Sequence, residues 1–118
     1  MRYAFLVPLL LAPLSATADL PEIVGAKATP TGTTWRFDVT LRHPDTGWDH
    51  YADGWEILSP DGSVLGTRPL AHPHEHEQPF TRSLSSVSVP AGLDHVLIRA
   101  SCNVDGWTGA EYRLDLPD

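Results

Sequence analysis

The side chains best suited to chemistry lie in one short segment, His72-Pro73-His74-Glu75-His76-Glu77. In an extended chain alternate side chains share a face, so the imidazoles would point one way and the carboxylates the other. The flanking prolines favour such an extended geometry. Imidazoles on one face can bind Cu(II) or Zn(II), and carboxylates behind them can orient the rings. The segment therefore predicts three metal ligands and one carboxylate contributor: His72, His74, His76 and Glu77. The alternatives are a solvated polar loop and a pH-sensing or interaction role.

Two other segments offer further ligands for the same site. Residues 43–53 contain His43 and His50, which we add to the predicted ligands, and Asp49 as a contributor. Cys102 is the single cysteine of the chain. Because one cysteine cannot form an internal disulfide, its thiol is a buried small side chain, a metal ligand or a dimerising group. We therefore include Cys102 as a contributor.

Three aromatic residues accompany these ligand-type groups. Trp48 lies between His43 and His50, Tyr51 directly follows His50, and Trp107 follows the cysteine. They could form a contact patch for a ligand or another protein. The alternative is that they pack down over a polar loop.

The elements that must position these groups are short β-strands. Apolar Trp35, Phe37, Val39 and Leu41 alternate with polar residues, which is typical of a half-buried strand. Similar patterns occur at 22–29, 54–59, 63–69, 81–88, 95–102 and 110–116. Seven strands predict an all-β, immunoglobulin- or fibronectin-like β-sandwich, with a small barrel or jelly roll as the alternative.

The connections between the predicted strands alternate in character. Tight turns are marked by Pro30-Thr31-Gly32, Pro60-Asp61-Gly62 and Pro90-Ala91-Gly92. Long, polar connections occupy 43–53, 70–80 and 102–109. In a sandwich alternate connections fall at opposite ends. We therefore expect the three long connections to share one end, the loop-rich pole, with five of the six histidines, and His95 to lie at the other end.

The first 18 residues resemble a secretory signal peptide. Arg2 precedes an apolar stretch from Ala4 to Leu14, and Ala16-Thr17-Ala18 is a small-residue cleavage site. Cleavage before Asp19 would leave 19–118 as a single periplasmic or secreted domain. The apolar stretch is short for a membrane span, so we expect no stable membrane insertion, the alternative being an N-terminal anchor. No cysteine lies near the cleavage site, so the sequence does not support a lipoprotein.

Charge and composition restrict the class of partner. The 118 residues contain 8 Lys and Arg against 15 Asp and Glu, for a net charge of −7. An acidic chain is a poor phosphate binder, so nucleic acid is not an expected partner. The apolar content of 42% argues for a folded domain over a disordered chain.

Parts of the chain also resemble two known groups of proteins. Gly66 followed by His72-x-His74, and Pro90-x-Gly92-x-x-His95, partly resemble the two cupin motifs. That resemblance implies a jelly-roll metal enzyme with His72, His74 and His95 as ligands and Glu77 as the carboxylate. Separately, Gly47-Trp48 through Trp55 and the pattern His-Pro-His-x-x-Glu-Gln-Pro-Phe-Thr-Arg-Ser-Leu, ending at Leu84, are similar to small exported bacterial proteins of unassigned role.

These observations predict an exported protein that binds Cu(II) or Zn(II) at the loop-rich pole, for metal sequestration or delivery. The chain lacks a nucleophile elbow, a P-loop and a His-Glu-x-x-His motif, so we expect no catalysis of its own. The alternative functions are an interaction module that contacts another exported protein through the same loops, and the cupin-like metal enzyme.

Overall fold

The computed structural model describes residues 20–107 and 109–117, and within them the chain is all-β. The predicted signal peptide lies outside the described residues. The strands are β1 (Glu22–Thr31), β2 (Thr34–Arg42), β3 (Ala52–Leu58), β4 (Val64–Pro69), β5 (Phe80–Val87), β6 (His95–Cys102) and β7 (Tyr112–Asp115). The seven strands predicted from period-two patterns are therefore confirmed. The described residues include no helix long and apolar enough to cross a membrane.

The strands form two antiparallel sheets that pack as a sandwich. One sheet has the order β1-β2-β5 and the other β4-β3-β6-β7. In the immunoglobulin constant arrangement the fourth strand joins the sheet of the first two, whereas here it pairs with β3. The sandwich prediction is confirmed, and the sheets do not close into the alternative barrel.

Alternation along each strand builds the core between the sheets. In β2, Phe37, Val39 and Leu41 are fully buried, and the residues between them face outward. Trp55 and Ile57 of β3 are also fully buried. Trp35 is partly buried against the same core. The apolar positions read from the sequence are therefore the ones that hold the two sheets together.

Strand pairing places the long connections at one end, as predicted. Ala52, which begins β3, pairs with Cys102, which ends β6, and Leu41 near the end of β2 pairs with Phe80, which begins β5. The connections 43–51, 70–79 and 103–111 therefore leave the sandwich together. The loop-rich pole is thus a property of the fold.

The same pairing overturns the ligand set that the cupin resemblance implies. His95 begins β6, and its strand runs for eight residues to Cys102 at the loop-rich pole, a distance of roughly 23 Å at strand geometry. His72 lies just beyond Pro69, which pairs with Gly54 near that pole. His72 and His95 are therefore at opposite ends of the sandwich and cannot share an ion.

Candidate metal centre

Three side chains from three different positions in the sequence meet at the loop-rich pole. His43 directly follows β2, His50 lies two residues before β3, and Cys102 ends β6. One ligand atom from each of these residues lies within 4.8 Å of the other two. Cys102 Sγ is 3.5 Å from His50 Nε2, and the rings of His43 and His50 meet edge to face at 4.7 Å. Within the described parts of the chain this is the one such group of His, Cys, Asp or Glu.

Local backbone geometry explains why His50 lies over the cysteine. The chain turns sharply between Thr46 and His50. The N–H group of His50 donates to Gly47 O, and His50 O accepts from the N–H group of Thr46. Gly47 has φ of 126°, a conformation that side chains with a Cβ rarely adopt. Asn103 then joins this turn to the next loop, because its side chain accepts a bond from Tyr51 N at 2.8 Å and donates to Trp48 O.

Asp45 fixes the orientation and tautomer of His43. Its side chain is buried and accepts three hydrogen bonds, from His43 Nδ1 at 2.5 Å, Ala52 N at 3.0 Å and His74 N at 2.7 Å. A carboxylate that already receives two backbone N–H groups acts as an acceptor, which assigns the ring proton to Nδ1. When the ring is neutral, the lone pair of His43 is on Nε2. A carboxylate–histidine pair of this kind orients metal ligands in proteins.

The Nε2 atom of His43 is one of four buried side-chain nitrogens that lack a hydrogen-bond partner among the described residues, with Trp55 Nε1, Arg68 Nε and His74 Nδ1. An unpaired buried acceptor costs about 1–3 kcal/mol. A metal ion bound to this nitrogen would remove that cost, and among the four only His43 Nε2 belongs to a residue of the His43, His50 and Cys102 group.

The histidine-rich segment adopts a different geometry from the one predicted. The segment is not extended but bends at positions 72, 75 and 76. Gln78 closes the bend, because its Nε2 donates to His74 O at 2.9 Å and its Oε1 accepts from His43 N at 2.9 Å. The rings of His72 and His74 still lie 4.7 Å apart, but His72, His74 and His76 together do not form a ligand group within the described residues.

His74 is used by the protein itself. Its ring stacks on Phe80 at 3.9 Å, and its Nε2 accepts from the guanidinium of Arg82 at 2.8 Å. Burial, together with the neighbouring Arg82, holds the pKa of His74 below its ordinary value of 6.5. His74 is thus a neutral, packed side chain whose backbone supports Asp45. His72 and His76 are exposed.

The other predicted residues lie around the cluster. Asp49 is exposed on the turn, and Glu77 is exposed and pairs with Arg82 at 3.1 Å. Trp48 is 66% exposed and packs edge to face with Tyr51 at 5.4 Å. Of the three predicted aromatics, Trp48 and Tyr51 contact each other.

Trp107 packs on the outer face of the four-stranded sheet. Its ring is within 3.5 Å of the Cβ position of Gly54, and Arg99 lies 5.5 Å above it.

Two residues of the site were absent from the sequence-based ligand set. Asp45 follows His43 by two residues, a spacing that allows a carboxylate to reach the ring, and this was the available signal. Asp105 follows Cys102 by three residues, and its N–H donates to Sγ at 3.3 Å. Neither role follows from the residue types alone, because both depend on turns that close only in the folded chain.

Comparison with known proteins gives a match over most of the chain. No family model and no solved structure matches the chain. A protein of Halomicrobium mukohataei named "Putative lipoprotein" is 39% identical over 84 residues, which are 71% of this chain and 41% of that relative. The chain therefore spans less than half the length of the curated relative that it matches.

Proposed function

We propose that this is an exported protein that binds one divalent transition-metal ion through His43, His50 and Cys102. The observation that carries the proposal is the buried, unpartnered Nε2 of His43, held in place by Asp45 beside a second imidazole and a thiol. Export is supported by the leader pattern of residues 1–18 and by the name of the relative. The role that fits a site without a catalytic motif is metal sequestration or delivery.

The donor set favours a borderline metal. Two imidazole nitrogens and one sulfur suit Zn(II) and Cu(II), whereas hard ions such as Mg(II) and Ca(II) prefer oxygen ligands. The thiol must lose its proton to bind, so metal uptake releases a proton to water. Asp45 contributes by keeping the ring of His43 in the tautomer and orientation that binding needs.

The test is a metal titration of the untagged protein. After metal removal, Zn(II) and Cu(II) are added in competition with a chelator, and bound metal is measured by mass spectrometry. We expect one equivalent at sub-micromolar affinity. Cys102→Ser and His50→Ala should each weaken binding by about 100-fold or more, because each removes a ligand, whereas an outer residue such as Asp45 costs 10–100-fold.

The matched control removes histidines that lie outside the cluster. His72→Ala combined with His76→Ala changes two exposed side chains of the histidine-rich segment. Binding should be unchanged in this double variant. If the double variant loses the metal and the cysteine variant retains it, the ion binds to the histidine-rich segment and the proposed site is wrong.

Exposed apolar side chains favour a second candidate function, contact with another exported protein. Trp48 and Val104 are 66% and 59% exposed, and both lie in loops of the loop-rich pole. A capture experiment with periplasmic extract should retain a saturable partner on the wild type and lose it on Trp48→Ala. Equal retention on both proteins would refute a role for this surface.

A further inference from the structure

The loop after β6 holds a carboxylate against the cysteine sulfur. Cys102 and Gly106 exchange two backbone hydrogen bonds, of 3.3 and 2.8 Å, which close a tight turn. Gly106 has φ of 69°, the left-handed conformation that glycine adopts without strain. Within this turn Asp105 donates its N–H to Cys102 Sγ at 3.3 Å, and its Oδ2 is 3.6 Å from the same sulfur.

These separations match the edges of a tetrahedral zinc site. With Zn–S near 2.3 Å and Zn–N or Zn–O near 2.0–2.1 Å, tetrahedral angles put sulfur about 3.5 Å from each other ligand atom. The observed distances from Cys102 Sγ are 3.5 Å to His50 Nε2 and 3.6 Å to Asp105 Oδ2. Both contacts are also hydrogen bonds of the length usual for sulfur, so the thiol already lies between two groups that could bind the same ion. The sulfur of Cys102 therefore lies as far from His50 Nε2 and Asp105 Oδ2 as two ligand atoms lie from each other in a tetrahedral zinc site.

We propose that Asp105 is the fourth ligand, so that His43, His50, Cys102 and Asp105 enclose Zn(II). This inference rests on the proposed function. Asp105 Oδ2 is 3.6 Å from Sγ, but Asp105 is not a member of the 4.8 Å cluster, so the proposal requires its partly exposed side chain to turn toward the two imidazoles. The backbone hydrogen bond to sulfur remains during that rotation, because it comes from the N–H group.

The completed set has a chemical consequence. Four protein ligands leave no open position, which is the arrangement of closed zinc sites. Cu(II) instead favours tetragonal coordination, or a trigonal His and Cys set with a weak axial ligand. The carboxylate therefore directs the site toward holding Zn(II) over binding a substrate on the metal.

The experiment uses Co(II) and Zn(II) as probes on the full protein. Co(II) reports coordination number through its ligand-field absorption and reports the thiolate through its charge-transfer band. Asp105→Asn should weaken Zn(II) binding by at least about tenfold and should reduce the tetrahedral ligand-field intensity. The charge-transfer band should remain, because Cys102 is intact. Asp49→Asn, at an exposed carboxylate of the same pole, is the control and should change neither quantity.

The possible failures are distinguishable. If the wild type binds neither ion tightly, the proposed function fails and the fourth ligand with it. If the wild type binds but Asp105→Asn and Asp105→Ala both match it in affinity and spectrum, Asp105 is not a ligand and the three-residue site stands. Thermal unfolding of the metal-free variants, expected to match the wild type, checks that a loss of affinity is not a loss of fold. Asp105→Ala repeats the test without an amide that could replace the carboxylate.

Discussion

Replacement of Asp45 tests the framework of the site most directly. Its buried carboxylate accepts from one imidazole and two backbone N–H groups. Hydrogen bonds to a charged group contribute about 1.5–3 kcal/mol each, and a buried donor left unpaired costs a similar amount. The free-energy losses of three neighbouring hydrogen bonds are not additive, and water can enter the space that the side chain leaves. We therefore use the lower limit of this range for each of the three bonds. Asp45→Ala should then destabilise the metal-free protein by about 4 kcal/mol.

The conservative variant should cost less, for a reason visible in the bonding pattern. Oδ1 serves both His43 and Ala52, and Oδ2 serves only His74. Asp45→Asn can keep one oxygen toward the first two donors, so that it loses one bond and places its amide against the backbone N–H of His74. We therefore expect Asp45→Asn to lower the free energy of unfolding by about 2 kcal/mol. Both variants should also weaken metal binding by about 10–100-fold, because the ring of His43 is no longer held.

Chemical denaturation of the metal-free proteins measures these differences. Thermal unfolding gives a second measure. In a domain of this size a loss of 1 kcal/mol lowers Tm by about 4–8 °C, so Asp45→Ala should lower Tm by roughly 15 °C or more. Asp49→Ala, an exposed carboxylate on the same turn, should stay within about 0.5 kcal/mol of the wild type. A loss below about 1 kcal/mol for Asp45→Ala would show that the three bonds do not hold the pole together.

Three further predictions concern other parts of the fold. Hydrogen bonds from the Ser59 hydroxyl and from the following turn hold the pKa of Asp61 at about 2. NMR titration of the carboxyl should find this value, and Ser59→Ala should raise it. Because this pKa is lowered, the contribution to stability is complete above about pH 3.8 and is lost as the pH falls toward 2. NMR titration of the His74 imidazole should give a pKa below 6.5. Because the unfolded chain then binds a proton at a higher pH than the folded protein does, protonation of His74 lowers the free energy of unfolding as the pH falls below 6.5. At Gly66 an added Cβ would lie 2.9 Å from the end of the flexible Leu84 side chain and 3.3 Å from Val87, so Gly66→Ala should cost about 1 kcal/mol in denaturation. Gly25→Ala, where nothing lies within 4 Å, should be close to neutral.

The strands and the loop-rich pole could be predicted from the sequence because both depend on local signals. Period-two burial, as in Phe37, Val39 and Leu41, reports which face of a strand meets the core. Proline–glycine turns mark one end of the strands and long polar segments the other. Counting strands then assigns each connection to an end, and five histidines follow their loops to one pole.

Only the tertiary structure decided which ligand-type residues meet. The pairing of Ala52 with Cys102 joins residues 50 positions apart and places the sulfur beside His50. A hairpin turn fixes the register of the strands that it joins, but β3 and β6 are separated by two other strands in the sequence, so no local turn reveals their pairing. The histidine-rich segment is held in a bend by the hydrogen bond from Gln78 to His74 O. The guanidinium of Arg82 donates to His74 Nε2, so that this nitrogen is not free to bind a metal. A dense run of histidines shows only that residues able to bind a metal are present. A binding site also needs their ring nitrogens to point at one position and to have no other hydrogen-bond partner. That condition depends on how the folded chain satisfies its other hydrogen bonds.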